Sequence, residues 1–161
     1  MGCGCRGRTL GRHLLDAGWQ VRGTTRDPRN SDEIGAIGVE PVVADPDRVG
    51  TVLDHVGDVT LVFWLFASAE GEPDDLAALH GPRLERLLEE LVDTPVRGVV
   101  YESAGSVPDK LLEGGAAIVR DAAERWRIPA ELVDADPDDR ERWLGEMLVA
   151  AGRLTGTALT R

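Results

Sequence analysis

The chain has 161 residues, with 29 acidic against 18 basic side chains and a net charge of −11. That length supports one domain with a core of useful size, and so acidic a surface repels phosphate backbones, which argues against a nucleic-acid partner. No apolar run is long enough to span a membrane, no apolar leader opens the chain, and the only two cysteines form a C-x-C pair; a reducing cytoplasm and no membrane partner are expected.

In chain order, strand-like and helix-like stretches alternate. Residues 8–17 place Leu10, Leu14 and Ala17 at helical spacing, with Gly18 as a stop. WQVRGTT (19–25) reads as a strand, 31–38 as a weak helix and VEPVVAD (39–45) as a strand. A short helix is expected over 46–56 and a buried strand over VTLVFWLFA (59–67). Residues 74–92 read as a long helix restarted at Gly81-Pro82. VRGVVYES (96–103) is a strand, 115–127 an amphipathic helix and PAELVDA (129–135) the last strand. Residues 137–154 form the final predicted helix, with Asp136 as cap and Pro137 at its first position. Alternation of this kind predicts a parallel sheet with helices on both faces, over one domain spanning 1–161.

The opening MGCGCRG contains Gly2, Gly4 and Gly7 in the order G-x-G-x-x-G. In a dinucleotide loop the first glycine permits the tight turn, the second lets backbone approach the pyrophosphate and the third allows close helix packing. The amides of Cys5, Arg6 and Gly7 would then open the helix toward phosphate. A helix and then a strand follow at once, as the motif requires. Nineteen residues after Gly7 comes Arg26, at the end of the second of these elements. An acid there binds a ribose 2′-hydroxyl, whereas an arginine accommodates a 2′-phosphate, so NADP is expected over NAD. Thr24 and Thr25 could add hydroxyl contacts, and Asp27 weighs against the arginine reading. Asp45-Pro46 reaches the same sheet edge, either as an adenine contact or as a helix cap.

Five strands follow the glycine loop, where a dinucleotide fold of order 3-2-1-4-5-6 uses six. The one not accounted for is the central first strand, whose loss would expose ladder groups on two neighbours. A start lying downstream of the true one, a fragment, a rearranged sheet or a strand donated by a partner chain are the readings this leaves.

In order, GCGCRG, GTTRDP, VVADPD, VFWLFAS and VVYESAG resemble the NADP-binding half of the atypical and extended short-chain dehydrogenase/reductases, most of all their nucleoside-diphosphate-sugar epimerase-like branch. The similarity runs over residues 2 to about 137. It implies a doubly wound, Rossmann-like α/β fold with its first strand truncated. It also implies adenosine-ribose contacts at Phe66 and Ala67 and a catalytic hydroxyl at Ser103. The family's Y-x-x-x-K pair has no counterpart, because the helix after YESAG reads LLEGGAAIVRDAAERW. The only tyrosine, Tyr101, lies on the preceding strand, and the only lysine, Lys110, is in the following loop. Glu102 is a weak candidate base, since strand alternation points it away from Ser103.

Other clusters explain themselves more simply. Cys3 and Cys5 lack partners for a metal site. His13, His55 and His80 fall on separate helices, with His80 at a helix junction. Asp134, Asp136, Asp138 and Asp139 read as caps that favour a helix dipole. No metal is expected. The four tryptophans are spread through the chain and read as packing residues. Two functions stay open: an NADP-dependent oxidoreductase or epimerase-like enzyme acting on a small molecule, and a non-catalytic NADP-binding sensor or interaction module. A scaffold domain without nucleotide is a third, and a homodimer is among the partner expectations.

Overall fold

The computed structural model describes residues 2–157 and 159. Helix α1 (Cys5–Asp16) leads into strand β1 (Arg22–Thr25). A 3-10 turn (Pro28–Asn30) and α2 (Ser31–Gly35) connect it to β2 (Glu40–Val43). Helix α3 (Val49–Leu53) precedes β3 (Leu61–Trp64). Two helices, α4 (Pro73–Leu79) and α5 (Pro82–Leu91), come before β4 (Gly98–Glu102). Then follow α6 (Asp109–Trp126), β5 (Ala130–Val133) and α7 (Arg140–Thr155).

Every strand pair is parallel. β1 pairs with β2, and β3-β4-β5 form a second ladder, so the sheet runs β2-β1, a break, then β3-β4-β5. The chain therefore winds outward in two opposite directions from the break. The fold is Rossmann-like and doubly wound.

The strands are short and apolar because both faces are covered. All five residues of β4 are buried. On one face, Leu84, Leu87, Leu88 and Leu91 of α5 pack with Val119 of α6 against Val62, Trp64, Val99 and Tyr101. On the other, Leu10 and Leu14 of α1 pack with Trp143, Met147 and Leu148 of α7 against Val100 and Val133. Consecutive strand residues thus serve opposite cores, as the pleat requires.

Several boundaries differ from those the sequence suggests; α1, for one, already begins at Cys5. Helix α6 begins at Asp109 and runs straight through Gly114-Gly115. Gly115 is needed inside the helix, since a Cβ there would fall 2.1 Å from the Tyr101 hydroxyl. Helix α7 starts at Arg140, and its cap is Asp139, whose carboxylate accepts from the Arg142 amide, rather than Asp136. Helix α3 is capped at Arg48, so Asp45 is not its cap. The restart at Gly81-Pro82 occurs as expected, with His80 ending α4.

Candidate functional site

The glycine loop lies at the carboxyl edge of the sheet, at the point where the two winding directions part. Gly2 has a left-handed φ of 77°. Its amide donates to Thr24 Oγ1 at 3.2 Å, and the Cys3 amide donates to the Thr24 carbonyl at 3.1 Å. A Cβ on Gly2 would lie 2.6 Å from the Leu65 carbonyl oxygen. The loop is thereby wedged between the end of β1 and the end of β3.

The three glycines do different things. Gly2 supplies the turn. Gly7 packs so closely on the loop that a Cβ would meet the Gly2 carbonyl at 2.7 Å. Gly4 is exposed, and a Cβ there would meet nothing within 4 Å. Gly4 is also the N-cap of α1, with no side-chain cap and no acidic residue in the first turn. The amides of Cys5, Arg6 and Gly7 belong to that first turn, where a helix has no acceptor of its own. A 12-residue helix adds a partial positive charge at this end. The result is a backbone cradle fitted to an anion, with open space over Gly4.

Thr25 and Arg26 end β1 beside this cradle. The Thr25 hydroxyl is used in a local turn with Asp27, donating to its carbonyl and accepting from its amide. Asp27 is taken up by Arg29, which meets both carboxylate oxygens. Arg26 is exposed and forms no ion pair among the described residues. Asp27 is thus engaged by its neighbour Arg29, and the Arg26 side chain stands at the strand end.

At the end of β2, Asp45 Oδ1 accepts from the Asp47 amide, a compact turn, and Pro46 is buried. Phe66 is half-buried and stacks edge-on against Trp64 with centroids 4.9 Å apart. Ala67 is fully buried; its amide donates to Glu102 and its carbonyl accepts from Val107. Ser103, at the end of β4, donates its hydroxyl to the Val133 carbonyl at 3.0 Å. The loop, Arg26, Asp45, Phe66 and Ser103 therefore share one edge of the sheet, each on its own strand end.

Two buried groups beneath this edge have larger roles than sequence reasoning assigned them. Glu102 is fully buried. It accepts from the Ala67 amide at 3.1 Å and from Trp143 Nε1 at 2.9 Å, and Arg6 Nε lies 3.6 Å away. Burial holds its carboxyl above the usual range, against the pull of Arg6 and the two hydrogen bonds. It joins β4, the Ala67 turn, α7 and the first turn of α1 through one carboxylate. An acid closing the otherwise apolar strand GVVYE was the signal for this, since a charge in such a strand needs buried partners. The second group is His80. Its Nε2 donates to the Phe66 carbonyl at 3.1 Å, and its Nδ1 accepts from the Tyr101 hydroxyl at 2.7 Å. Burial holds His80 below its ordinary value and the Tyr101 hydroxyl well above its own.

Cys3 is half-buried and Cys5 exposed, both as free thiols. Among the described residues no group of three or more His, Cys, Asp or Glu side chains converges to hold a metal, and no helix is long and apolar enough to cross a membrane.

No protein-family model matches the chain, and no curated protein matches it. Solved structures do. A structure described as gox2253 superposes with a TM-score of 0.67 at 16% identity, over 81% of this chain and 48% of that one. Triphenylmethane reductase from Citrobacter sp., complexed with NADP(H), superposes with a TM-score of 0.62 at 17% identity, over 83% and 47%. A second structure of the Citrobacter reductase, described in connection with bioremediation of triphenylmethane dyes, gives 0.62 at 16% identity, over 81% and 45%. The chain spans about half the length of these structures. They share its fold.

Proposed function

We propose that this chain is a dinucleotide-binding module of the reductase type, with NADP as its cofactor. The observation that carries the reading is the cradle itself: a positive-φ Gly2, an exposed Gly4 with open space above it, and a Gly7 pressed on the Gly2 carbonyl. These are the three separate demands of a pyrophosphate loop, met in order. Bound NADP supplies hydride chemistry; the chain binds and orients it. The amides of Cys5, Arg6 and Gly7 would face the pyrophosphate. Arg26 would take the 2′-phosphate, with Thr25 shaping the strand end around it. Asp45-Pro46 would border the adenine, and Phe66 with Ala67 would border the ribose. The Citrobacter neighbour's complex with NADP(H) supports the same cofactor.

Ser103 is the candidate catalytic hydroxyl in this reading, within an NADP-dependent oxidoreductase related to the epimerase-like short-chain dehydrogenases. A second reading, a non-catalytic NADP-binding module, is favoured by a specific observation. The only tyrosine is sealed in the core against His80, and Lys110 is exposed on α6, so no tyrosine–lysine pair faces the cradle. Both readings require binding, and only the first requires turnover. Titrating NADPH and NADH against thermal unfolding tests the shared part. Oxidation of NADPH across a panel of carbonyl and dye acceptors, with Ser103→Ala as control, separates the two.

A further inference from the structure

Arg6, Arg8 and Arg12 all stand on α1, but they turn different ways. Arg8 Nη1 lies 2.9 Å from Glu33 on α2, and Arg12 Nε lies 3.6 Å from Asp16 on α1 itself. Both of those carboxylates are exposed. Arg6 turns inward instead, with its Nε 3.6 Å from Glu102 Oε1. The Glu102 side chain is fully buried, whereas 30% of the Arg6 side chain stays exposed. This pair therefore joins the interior to solvent at the first turn of α1.

Glu102 does not depend on Arg6 for hydrogen bonds. Its Oε2 accepts from the Ala67 amide and its Oε1 from Trp143 Nε1. At 3.6 Å the guanidinium supplies charge rather than a third bond. Arg6 faces the carboxylate from α1, Trp143 from α7, the Ala67 amide from the turn after β3, and Val133 is its ladder partner on β5. Beside it on β4 stands the Tyr101 phenol, which burial keeps neutral. Arg6 is thus the cation that offsets this buried charge among the described residues. Its guanidinium makes no hydrogen bond among those residues, so its N–H groups are unspent.

Arg6 also belongs to the turn whose amides form the cradle, two residues after Gly4. Helix side chains lean toward the helix N-terminus, which puts this arm at the cradle end of α1. An anion in the cradle would act on the pair in two ways. It offers Arg6 short charge-assisted bonds that Glu102 does not make. It also brings negative charge toward a buried carboxylate, which favours the protonated form.

We infer that the Arg6 side chain is the cationic arm of the diphosphate site, and that Glu102 is the positioning residue that holds this arm at the cradle and takes up a proton from solvent when the diphosphate engages it. The inference rests on the dinucleotide reading above. It adds what the glycines and Arg26 do not supply: a side-chain cation for the diphosphate, and a proton linked to binding.

The test titrates two ligands against wild type, Glu102→Gln and Arg6→Gln between about pH 5 and about pH 9. One ligand is NADPH; the other is 2′-AMP, which carries the 2′-phosphate without the diphosphate. Because the complex binds the extra proton, wild-type affinity for NADPH should fall with rising pH relative to Glu102→Gln, by up to about tenfold per pH unit. Comparing the two proteins removes the titration of the nucleotide itself. 2′-AMP should show no such difference. Arg6→Gln should lose about tenfold or more in NADPH affinity and keep its affinity for 2′-AMP. Should Glu102→Gln not fold, Arg6→Gln takes its place, because without the cation its NADPH affinity should lose most of the same pH dependence. Parallel pH curves for wild type and the variant, or an Arg6→Gln protein that weakens both ligands equally or neither, would overturn the inference and leave nucleotide binding standing. A folded wild type that does not bind NADPH would overturn the dinucleotide reading, and the inference with it.

Discussion

The Tyr101 hydroxyl lies 2.7 Å from His80 Nδ1, with both residues buried between β4 and the end of α4. The only phenol of the chain is thus a core group that ties the Phe66 carbonyl, through His80, to the middle of the sheet. Replacing it tests whether it has any part in chemistry. Tyr101→Phe should cost about 1–2 kcal/mol, because His80 Nδ1 is left without its donor in an apolar site. NADPH affinity should be unchanged. Denaturant unfolding checks the first statement and a binding titration the second. A variant of undiminished stability that has lost nucleotide binding would place the phenol in the site instead.

The division of labour among the glycines gives a contrast within one loop. Gly4→Ala adds a methyl where nothing lies within 4 Å, so stability should change by no more than about 0.5 kcal/mol. The methyl would stand where phosphate must approach, and NADPH affinity should fall at least tenfold. Gly7→Ala should instead destabilise by about 1–3 kcal/mol, since its methyl meets the Gly2 carbonyl and backbone cannot swing aside as a side-chain tip can. Measuring stability and affinity on both variants distinguishes a ligand cradle from a glycine turn, for which Gly4→Ala would change neither.

Arg26 and Arg29 stand three residues apart with different partners. Arg29 is held by both carboxylate oxygens of Asp27, whereas Arg26 forms no ion pair among the described residues. Arg26→Ala should abolish most of the preference for NADPH over NADH with little effect on stability. Arg29→Ala should leave that preference standing. Competition titrations with the two nucleotides would show whether the effect instead follows Arg29, which would move the 2′-phosphate site.

The two buried titrating groups work in opposite directions with pH. His80 is held below its ordinary value of 6.5 by burial, so the unfolded chain takes up its proton first. Its contribution is whole above pH 6.5 and is lost as pH falls from there. Glu102 is held above its ordinary 4.5 by burial, against Arg6 and its two donors, so the folded chain takes up the proton first. Its contribution is whole below pH 4.5 and is lost as pH rises through the folded value. Glu102→Gln removes only the second dependence. Relative to wild type, its unfolding free energy should improve steadily from pH 4.5 toward 7, on top of a fixed loss from facing an amide group toward one of two N–H donors. A difference that stays constant over that range would contradict the assignment.

Much of this was legible in the sequence, for physical reasons. A parallel sheet buries both faces, so runs such as VTLVFWLFA and VRGVVYES mark strands without alternation, and leucine spacing marks α5 and α7. The order of elements and the glycine loop followed from these. The N-terminus of α6 did not, because a Gly-Gly pair reads as a break unless one knows that Tyr101 occupies the space a side chain would need. The Glu102 junction was hidden for a similar reason. Its partners Ala67 and Trp143 lie 35 and 41 residues away, and only folding brings them together. The Arg22–Asp58 pair was hidden in the same way, its members lying 36 residues apart.

The central claim is that the loop at Gly2, Gly4 and Gly7 holds NADP. Thermal unfolding of the 161-residue chain with rising NADPH, NADH and no nucleotide tests it most directly. At about 100 times its dissociation constant NADPH should add ~2.7 kcal/mol of stability, and NADH at the same concentration clearly less. A folded chain whose transition is unmoved by either nucleotide, or a Gly4→Ala variant shifted as far as wild type, would contradict it.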